Sequence, residues 1–186
     1  MNNIDPKEEK NRYDLAYSEP TADQVPYLDS GIFKQALLQF QNLIEENISD
    51  GKNILELAAG DGEYSKYTLN KRTNNTITDI SINGLKVINS FVKKNNIKAD
   101  TSFINCDMQN LPFADKKFDV VIVAKSLSYC NKESLSKEVN RVLKDKGVFI
   151  VLDQLYNNPI YSLNRWIKYQ KGTITKSSYI NRPKME

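Results

Sequence analysis

The chain contains no histidine, and its two cysteines, Cys106 and Cys130, lie far apart with no Cys-x-x-Cys pair. Without histidine, every Ser-His or Cys-His nucleophile arrangement is excluded, along with the commonest general base. Chemistry must therefore run on carboxylates, tyrosine, lysine or a cofactor. The cysteine spacing argues against a zinc site, and no metal is expected. No apolar run approaches the roughly 20 residues that a membrane span needs, so no segment is expected to cross a bilayer. A strong charge bias is also missing. The net charge is +3, and the lysines stand among acidic neighbours rather than in one stripe. That distribution reads as a solvated surface and argues against nucleic-acid binding. A secretory signal begins basic and then turns apolar, whereas this start, Met1 to Glu9, is polar and acidic; cytoplasm is the expectation.

What is present fits one water-soluble α/β domain: 186 residues, 40% hydrophobic and 26% charged. Residues 1–30 are polar with interspersed Tyr13, Tyr17 and Tyr27, the pattern of an arm or flap, and residues 31–186 form the domain. Ser30 is placed to cap a helix carrying Phe33, Leu37, Phe40, Ile44 and Ile48 at helical spacing, with Gly51 beyond its end. Short apolar runs then alternate with amphipathic stretches. Strands are predicted at 53–57, 76–80, 101–104, 118–124 and 148–152. The helices between them are predicted from about Glu63, after Ser81 (Ile82, Leu85, Ile88, Val92), and through Leu135, Val139, Val142 and Leu143. One more helix is expected around Ile160, Leu163, Trp166 and Ile167. This order predicts a three-layer, doubly wound, mostly parallel sheet with right-handed crossovers.

In an open parallel sheet the ligand lies beyond the carboxyl ends of the strands. After the first strand comes Glu56-Leu57-Ala58-Ala59-Gly60-Asp61-Gly62, in which small residues let the backbone pass close to a ligand before a helix N-terminus. The second strand ends in Asp79, about 20 residues past the start of the motif, where a carboxylate accepts both ribose hydroxyls. A dinucleotide fingerprint wants a third glycine where Ser65 stands. That leaves a nicotinamide-dependent oxidoreductase as the weaker alternative.

The glycine turn, together with Asp107-Met108-Gln109-Asn110-Leu111-Pro112-Phe113 and Phe118-Asp119-Val120-Val121, resembles the class I S-adenosylmethionine-dependent methyltransferase family over about Asn53 to Asp153. Ala58 stands where that family has its first glycine, a change that tightens the loop if the backbone there needs positive φ. The resemblance implies S-adenosylmethionine as cofactor, S-adenosylhomocysteine as product and a small-molecule methyl acceptor. It implies that Glu56 helps hold the methionine end, with Ala58, Gly60 and Gly62 passing beside it. By the same resemblance Asp79 takes the ribose hydroxyls, Ile80 packs on the adenine, and Asp107 and the Met108 backbone meet the adenine edge. Lys125 and Ser126 line the methionine side. Tyr13 and Tyr17 are candidates to close over the cofactor.

The sulfonium already activates the methyl group, so the protein aligns a nucleophile for in-line displacement and excludes water. Tyr129 and Asp153, each following an apolar strand, are the candidates for a base. Asp119 reads as a strand-end hydrogen-bond acceptor, and Leu111-Pro112-Phe113 as packing. Asn157-Asn158-Pro159 comes after the fifth strand rather than the fourth, so it reads as a turn and argues against methylation of base amino groups. The family finishes its sheet with two further strands, and no such pair is visible here. The fifth strand is then an exposed edge, and three outcomes stay open: the polypeptide is a fragment, it forms a homodimer through that edge, or the segment after Asp153 covers it. Beside the enzyme stands a second function, a cofactor-binding module that is inactive alone or needs a partner chain.

Overall fold

The computed structural model describes residues 6–18, 31–69 and 72–153. The Ser30 cap and the helix expected around Trp166 lie outside these residues. Five strands, β1 (Asn53–Leu57), β2 (Asn74–Asp79), β3 (Asp100–Asn105), β4 (Phe118–Ala124) and β5 (Leu143–Leu152), form one sheet in the order β3-β2-β1-β4-β5. Every pairing is parallel. Among the described residues four α-helices accompany it: α1 (Pro6–Ala16), α2 (Gly31–Asn47), α3 (Ile82–Lys94) and α4 (Lys132–Val142).

The layers follow from the two-residue period of the strands. Ile54, Val120, Ile122 and Ile150 face Phe40 and Ile44 of α2 and Ile48 just past its end, and on the same side Ile77 meets Leu85 and Ile88 of α3. The opposite set, Leu55, Leu57, Val121 and Val123, packs on Leu135, Val139 and Val142 of α4. Each such side chain contributes roughly 1.5–3 kcal/mol on burial, so both faces of the central strands hold the helices in place. The Ser81 side chain caps α3 by accepting the Gly84 N–H at 3.3 Å. Asn131 caps α4, accepting from Glu133 and Ser134 at 3.0 and 3.1 Å.

Three local expectations are corrected. Instead of a helix from Glu63, there is a short 3₁₀ turn at Ser65–Tyr67. The Thr68 hydroxyl and the N–H groups of Thr68 and Leu69 all converge on the Ser65 carbonyl, which closes the turn locally. Strand β5 starts at Leu143 rather than at 148, because Leu143 pairs with Phe118 and residues 144–147 bulge before Val148 pairs with Val120. Lys146 turns there with φ +68°. Ile82, in the first turn of α3, is 42% exposed rather than inward.

Candidate functional site

Strands β1 and β4 lie side by side, while the chain leaves β1 toward β2 on one side and β4 toward β5 on the other. The crevice beyond their carboxyl ends is therefore where a ligand is expected, and a cavity of about 220 Å³ opens there. Its floor is the glycine turn. Ala58, Gly60 and Gly62 take φ values of +51°, +61° and +87°, the left-handed region that favours glycine. Ala58 thus occupies a glycine conformation while carrying a methyl group. The turn packs tightly on α3: a Cβ on Gly84 would stand 2.4 Å from the Gly60 carbonyl oxygen, and one on Gly62 would meet Ile88 at 2.8 Å.

Asp79, 5% exposed at the end of β2, ties this floor together. One carboxylate oxygen accepts the Gly60 N–H at 2.7 Å, and the other accepts the Ser81 N–H at 2.7 Å. Burial pushes its pKa up against these two N–H groups, with Asp14 and Asp61 adding to the rise. Asn105 joins the ends of β2 and β3 by donating to the carbonyls of Asp79 and Ile80. Asp107 accepts the Gln109 N–H at 2.8 Å, so it closes its own loop while also lining the cavity. That loop is clamped from α4. Arg141 donates to the carbonyls of Leu111 and Phe113 at 3.0 and 2.6 Å, and Glu138 accepts the Leu111 N–H at 2.7 Å.

Glu56 is buried in the site with one oxygen uncompensated. It is 5% exposed, and its Oε2 has no hydrogen-bond partner among the described residues. Burial pushes its carboxyl up to about 7, with the Ser65 hydroxyl pulling down and Asp79 adding a smaller rise. A buried acceptor without a donor costs about 1–3 kcal/mol, and here it lines an open cavity rather than a packed core.

At the end of β4, Lys125 also takes a positive φ of +55°, and its Nζ reaches Glu63 at 3.2 Å. The Ser126 hydroxyl donates to the Ala124 carbonyl at 2.9 Å. Helix α1 roofs the cavity with Glu9 and Tyr13, joined by Tyr17 just past its end. It is held by polar and aromatic contacts. The Ser81 hydroxyl donates to the Asp14 carboxylate, and Asn83 Nδ2 donates to the Asp14 carbonyl at 3.0 Å. Tyr13 meets Tyr129 edge to face with ring centroids 5.7 Å apart and stacks on Tyr17 at 5.9 Å. A Cβ on Gly60 would stand 2.6 Å from the Tyr17 hydroxyl, so that phenol rests directly on the glycine turn.

Of the residues singled out in the sequence, Glu56, Ala58, Gly60, Asp79, Ile80, Asp107, Met108, Lys125, Ser126, Tyr13, Tyr17 and Tyr129 all line this one cavity. Gly62 and Asp153 are not brought into its lining. Gly62 serves the packing on Ile88, and the Asp153 carboxylate accepts the Leu127 N–H at 2.7 Å, steadying the turn after β4. Asp119 is a strand-end acceptor, taking the Asn53 N–H at 2.9 Å and Lys144 Nζ at 2.8 Å. Glu9, Asp61, Glu63, Tyr64, Cys106 and Gln109 line the cavity without having been anticipated. Asp61 and Glu63 lie inside and beside the glycine motif, so position alone signalled them. Glu9 carried no signal.

A family model described as a methyltransferase domain matches residues 55–151, more than half of the chain. The chain belongs to the class I S-adenosylmethionine methyltransferase family. Among curated relatives of this methyltransferase-family chain, a fatty-acid O-methyltransferase of Mycolicibacterium smegmatis is 34% identical over 118 residues, covering 63% of the chain and 41% of the relative. A demethylmenaquinone methyltransferase of Thermotoga maritima is 30% identical over 132 residues, covering 65% and 55%. The chain spans about half the length of the curated relatives it matches. Among solved structures, the YcgJ protein of Bacillus subtilis superposes with a TM-score of 0.60 at 20% identity, over 70% of this chain and 58% of that one, a likeness of fold alone.

The family implies S-adenosylmethionine, and the residues present fit it. Glu56 offers an unpaired buried acceptor to an ammonium, the glycine turn offers side-chain-free backbone, and Asp79 and Asp107 retain lone pairs beyond those already used.

Proposed function

We propose that this methyltransferase domain moves a methyl group from S-adenosylmethionine to a small-molecule acceptor by in-line displacement. The observation that carries this is the convergence of Asp79, Asp107 and the orphaned Glu56 carboxyl on one cavity floored by the glycine turn. When bound, the cofactor supplies a methyl group already activated by its sulfonium. The chain's residues bind, orient and exclude water. Glu56 holds the methionine end, Asp79 the ribose hydroxyls and Asp107 the adenine edge, with Ile80 and Met108 beside the ring. Lys125 and Ser126 flank the methionine side, and Tyr13 and Tyr17 shut the top. Tyr129, which faces the cavity, is the better candidate to take a proton from an acceptor hydroxyl; Asp153 acts on it by holding the 127–129 turn.

The cavity of about 220 Å³ is smaller than the roughly 300–1,000 Å³ typical of ligand sites. Tyr17 rests on the glycine turn, so α1 shifts outward when cofactor and acceptor enter. The two relatives act on demethylmenaquinone and on fatty acids by name, so family membership leaves the acceptor open. Calorimetric titration with S-adenosylhomocysteine and with NADH tests the cofactor, and S-adenosylhomocysteine release with an acceptor panel tests the transfer. Binding of NADH in place of S-adenosylhomocysteine would sink the proposal.

One observation favours a second reading, a cofactor-holding module completed by another chain. Among the described residues β5 is an edge strand, and Phe149 and Val151 on its α4 side are 38% and 39% exposed; such an edge invites pairing. A homodimer through β5 is the simplest completion. Light scattering that reports a monomer at all concentrations, together with turnover by that monomer, excludes it.

A further inference from the structure

A side chain two residues past Asp107 holds that carboxylate in place. Gln109 is half-buried and lines the cavity beside Asp107 and Met108. Its side-chain oxygen accepts the Asn131 N–H at 2.7 Å. Its side-chain nitrogen donates to both oxygens of the Asp107 carboxylate, at 3.2 Å to Oδ1 and 3.3 Å to Oδ2. Its backbone N–H donates to Oδ1 as well, at 2.8 Å. One residue therefore grips the carboxylate through both its backbone and its side chain.

The two ends of the Gln109 amide are not interchangeable. A backbone N–H can only donate, so the amide oxygen must face Asn131 and the nitrogen must face Asp107. Asn131 is fixed in turn, because it caps α4 by accepting the N–H groups of Glu133 and Ser134. The far part of the loop is tied to the same helix, by Arg141 on the Leu111 and Phe113 carbonyls and by Glu138 on the Leu111 N–H. Both ends of α4 thus anchor the loop, and Gln109 carries that anchorage to the Asp107 carboxylate. The grip is also uneven. Oδ1 takes the backbone N–H and one share of the amide, while Oδ2 takes the longer share. A carboxylate oxygen offers two lone pairs, so Oδ2 keeps acceptor capacity for a ligand, in a direction that the amide sets.

We infer that Gln109 is a positioning residue that makes the site selective for a 6-aminopurine, by orienting Asp107 to accept from the exocyclic amine of the cofactor's adenine. This rests on the methyl-transfer proposal above, which puts Asp107 at the adenine edge. A 6-oxopurine would turn a carbonyl oxygen toward the same carboxylate and set two acceptors against each other with no proton between them. A carboxylate free to swing would avoid that mismatch and lose the selectivity; one locked by its neighbours cannot.

The test is calorimetric titration of the whole chain with S-adenosylhomocysteine and with S-inosylhomocysteine, which carries a 6-oxo group in place of the amine. The native chain should prefer the adenosyl ligand by about 10- to 100-fold, the worth of one hydrogen bond to a charged group. Gln109→Met keeps the length of the side chain and removes the amide, and it should narrow that preference by about tenfold. Damage to the loop alone would weaken both ligands alike and leave the ratio where it was. Gln109→Ala is the second variant, and it should narrow the ratio in the same direction. Asp107→Ala separates positioning from direct contact: in that background Gln109→Met should change the ratio by less than about twofold, because the group it positions is gone. An unchanged ratio in both Gln109 variants, or a full further narrowing on top of Asp107→Ala, overturns the inference while leaving Asp107 in its place. A native chain that binds both ligands equally removes Asp107 from the adenine edge and the inference with it, and one that binds neither takes down the cofactor reading as well.

Discussion

Replacing Asp79 by asparagine keeps the side chain's shape and removes its charge, at a residue that serves the fold and, as proposed, the cofactor. In the native protein both carboxylate oxygens accept backbone N–H groups at 2.7 Å, from Gly60 and Ser81. An amide has one acceptor oxygen, so its NH₂ confronts one of those two donors. A hydrogen bond to a charged group is worth about 1.5–3 kcal/mol, and part of that loss is offset because burial already disfavours the charge at Asp79. The net stability loss is about 1–2 kcal/mol, a fall in Tm of roughly 2–8 °C for a domain of this size. Loss of one charged acceptor for the ribose adds a rise of about 10- to 100-fold in the Kd for S-adenosylhomocysteine. Calorimetry and thermal melts measure the two effects. Asp119→Asn is the matched control at the other end of the sheet, where the carboxylate accepts from Asn53 and Lys144. It should lose stability and keep its affinity within about twofold, as expected for distant, independent sites. An Asp79→Asn protein that binds S-adenosylhomocysteine as tightly as the native one would refute the assigned role of Asp79.

Three further outcomes are expected. Ala58→Gly relieves a left-handed alanine at φ +51°; the strain of about 1–2 kcal/mol exceeds the added freedom of the unfolded glycine, about 0.4–1 kcal/mol, so the melting temperature should rise slightly, and a fall would contradict the strain. Gly84→Ala, which in an ordinary helix interior stabilises, should here destabilise by more than about 2 kcal/mol because its Cβ would lie 2.4 Å from the Gly60 carbonyl oxygen; denaturant melts decide. Burial lifts Glu56 from 4.5 to about 7, so between those pH values the native state holds a proton that the unfolded chain has released. Stability therefore falls as pH rises through that window, by roughly 3 kcal/mol in all. Glu56→Gln should flatten that slope and also abolish the rise in S-adenosylhomocysteine affinity that ionisation of Glu56 gives the native protein near pH 7; an unchanged slope would show that Glu56 is not the titrating group.

Much of the framework was legible before any tertiary structure. The apolar run Phe118–Ala124 became β4 without adjustment, because a strand buried on both faces needs an unbroken apolar stretch. Asp79 was found because strand ends and ligand crevices coincide in parallel sheets, and Asp107 through the motif that resembles the methyltransferase family. The helix expected after Gly62 was not found, since that expectation weighed residue spacing and not the side-chain and backbone donors that converge on the Ser65 carbonyl. Nor was the bulge at 144–147 visible, because it arises from where β4 sits beside it.

By itself the sequence determined the parallel sheet and its order of strands and helices, which follow from local periodicity, and Asp79 at its carboxyl edge, which follows from spacing; Glu56 and Asp107 were singled out through the family resemblance. The tertiary structure alone decided what closes the site. Asp14 meets Ser81 across 67 positions, and Tyr13 of α1 meets Tyr129. Helix α1 has no apolar stripe to announce its docking: Leu15 is 70% exposed, and the helix is held by hydrogen bonds and ring contacts. Such contacts leave no periodic trace, because their partners become neighbours only once the sheet has brought its strand ends together.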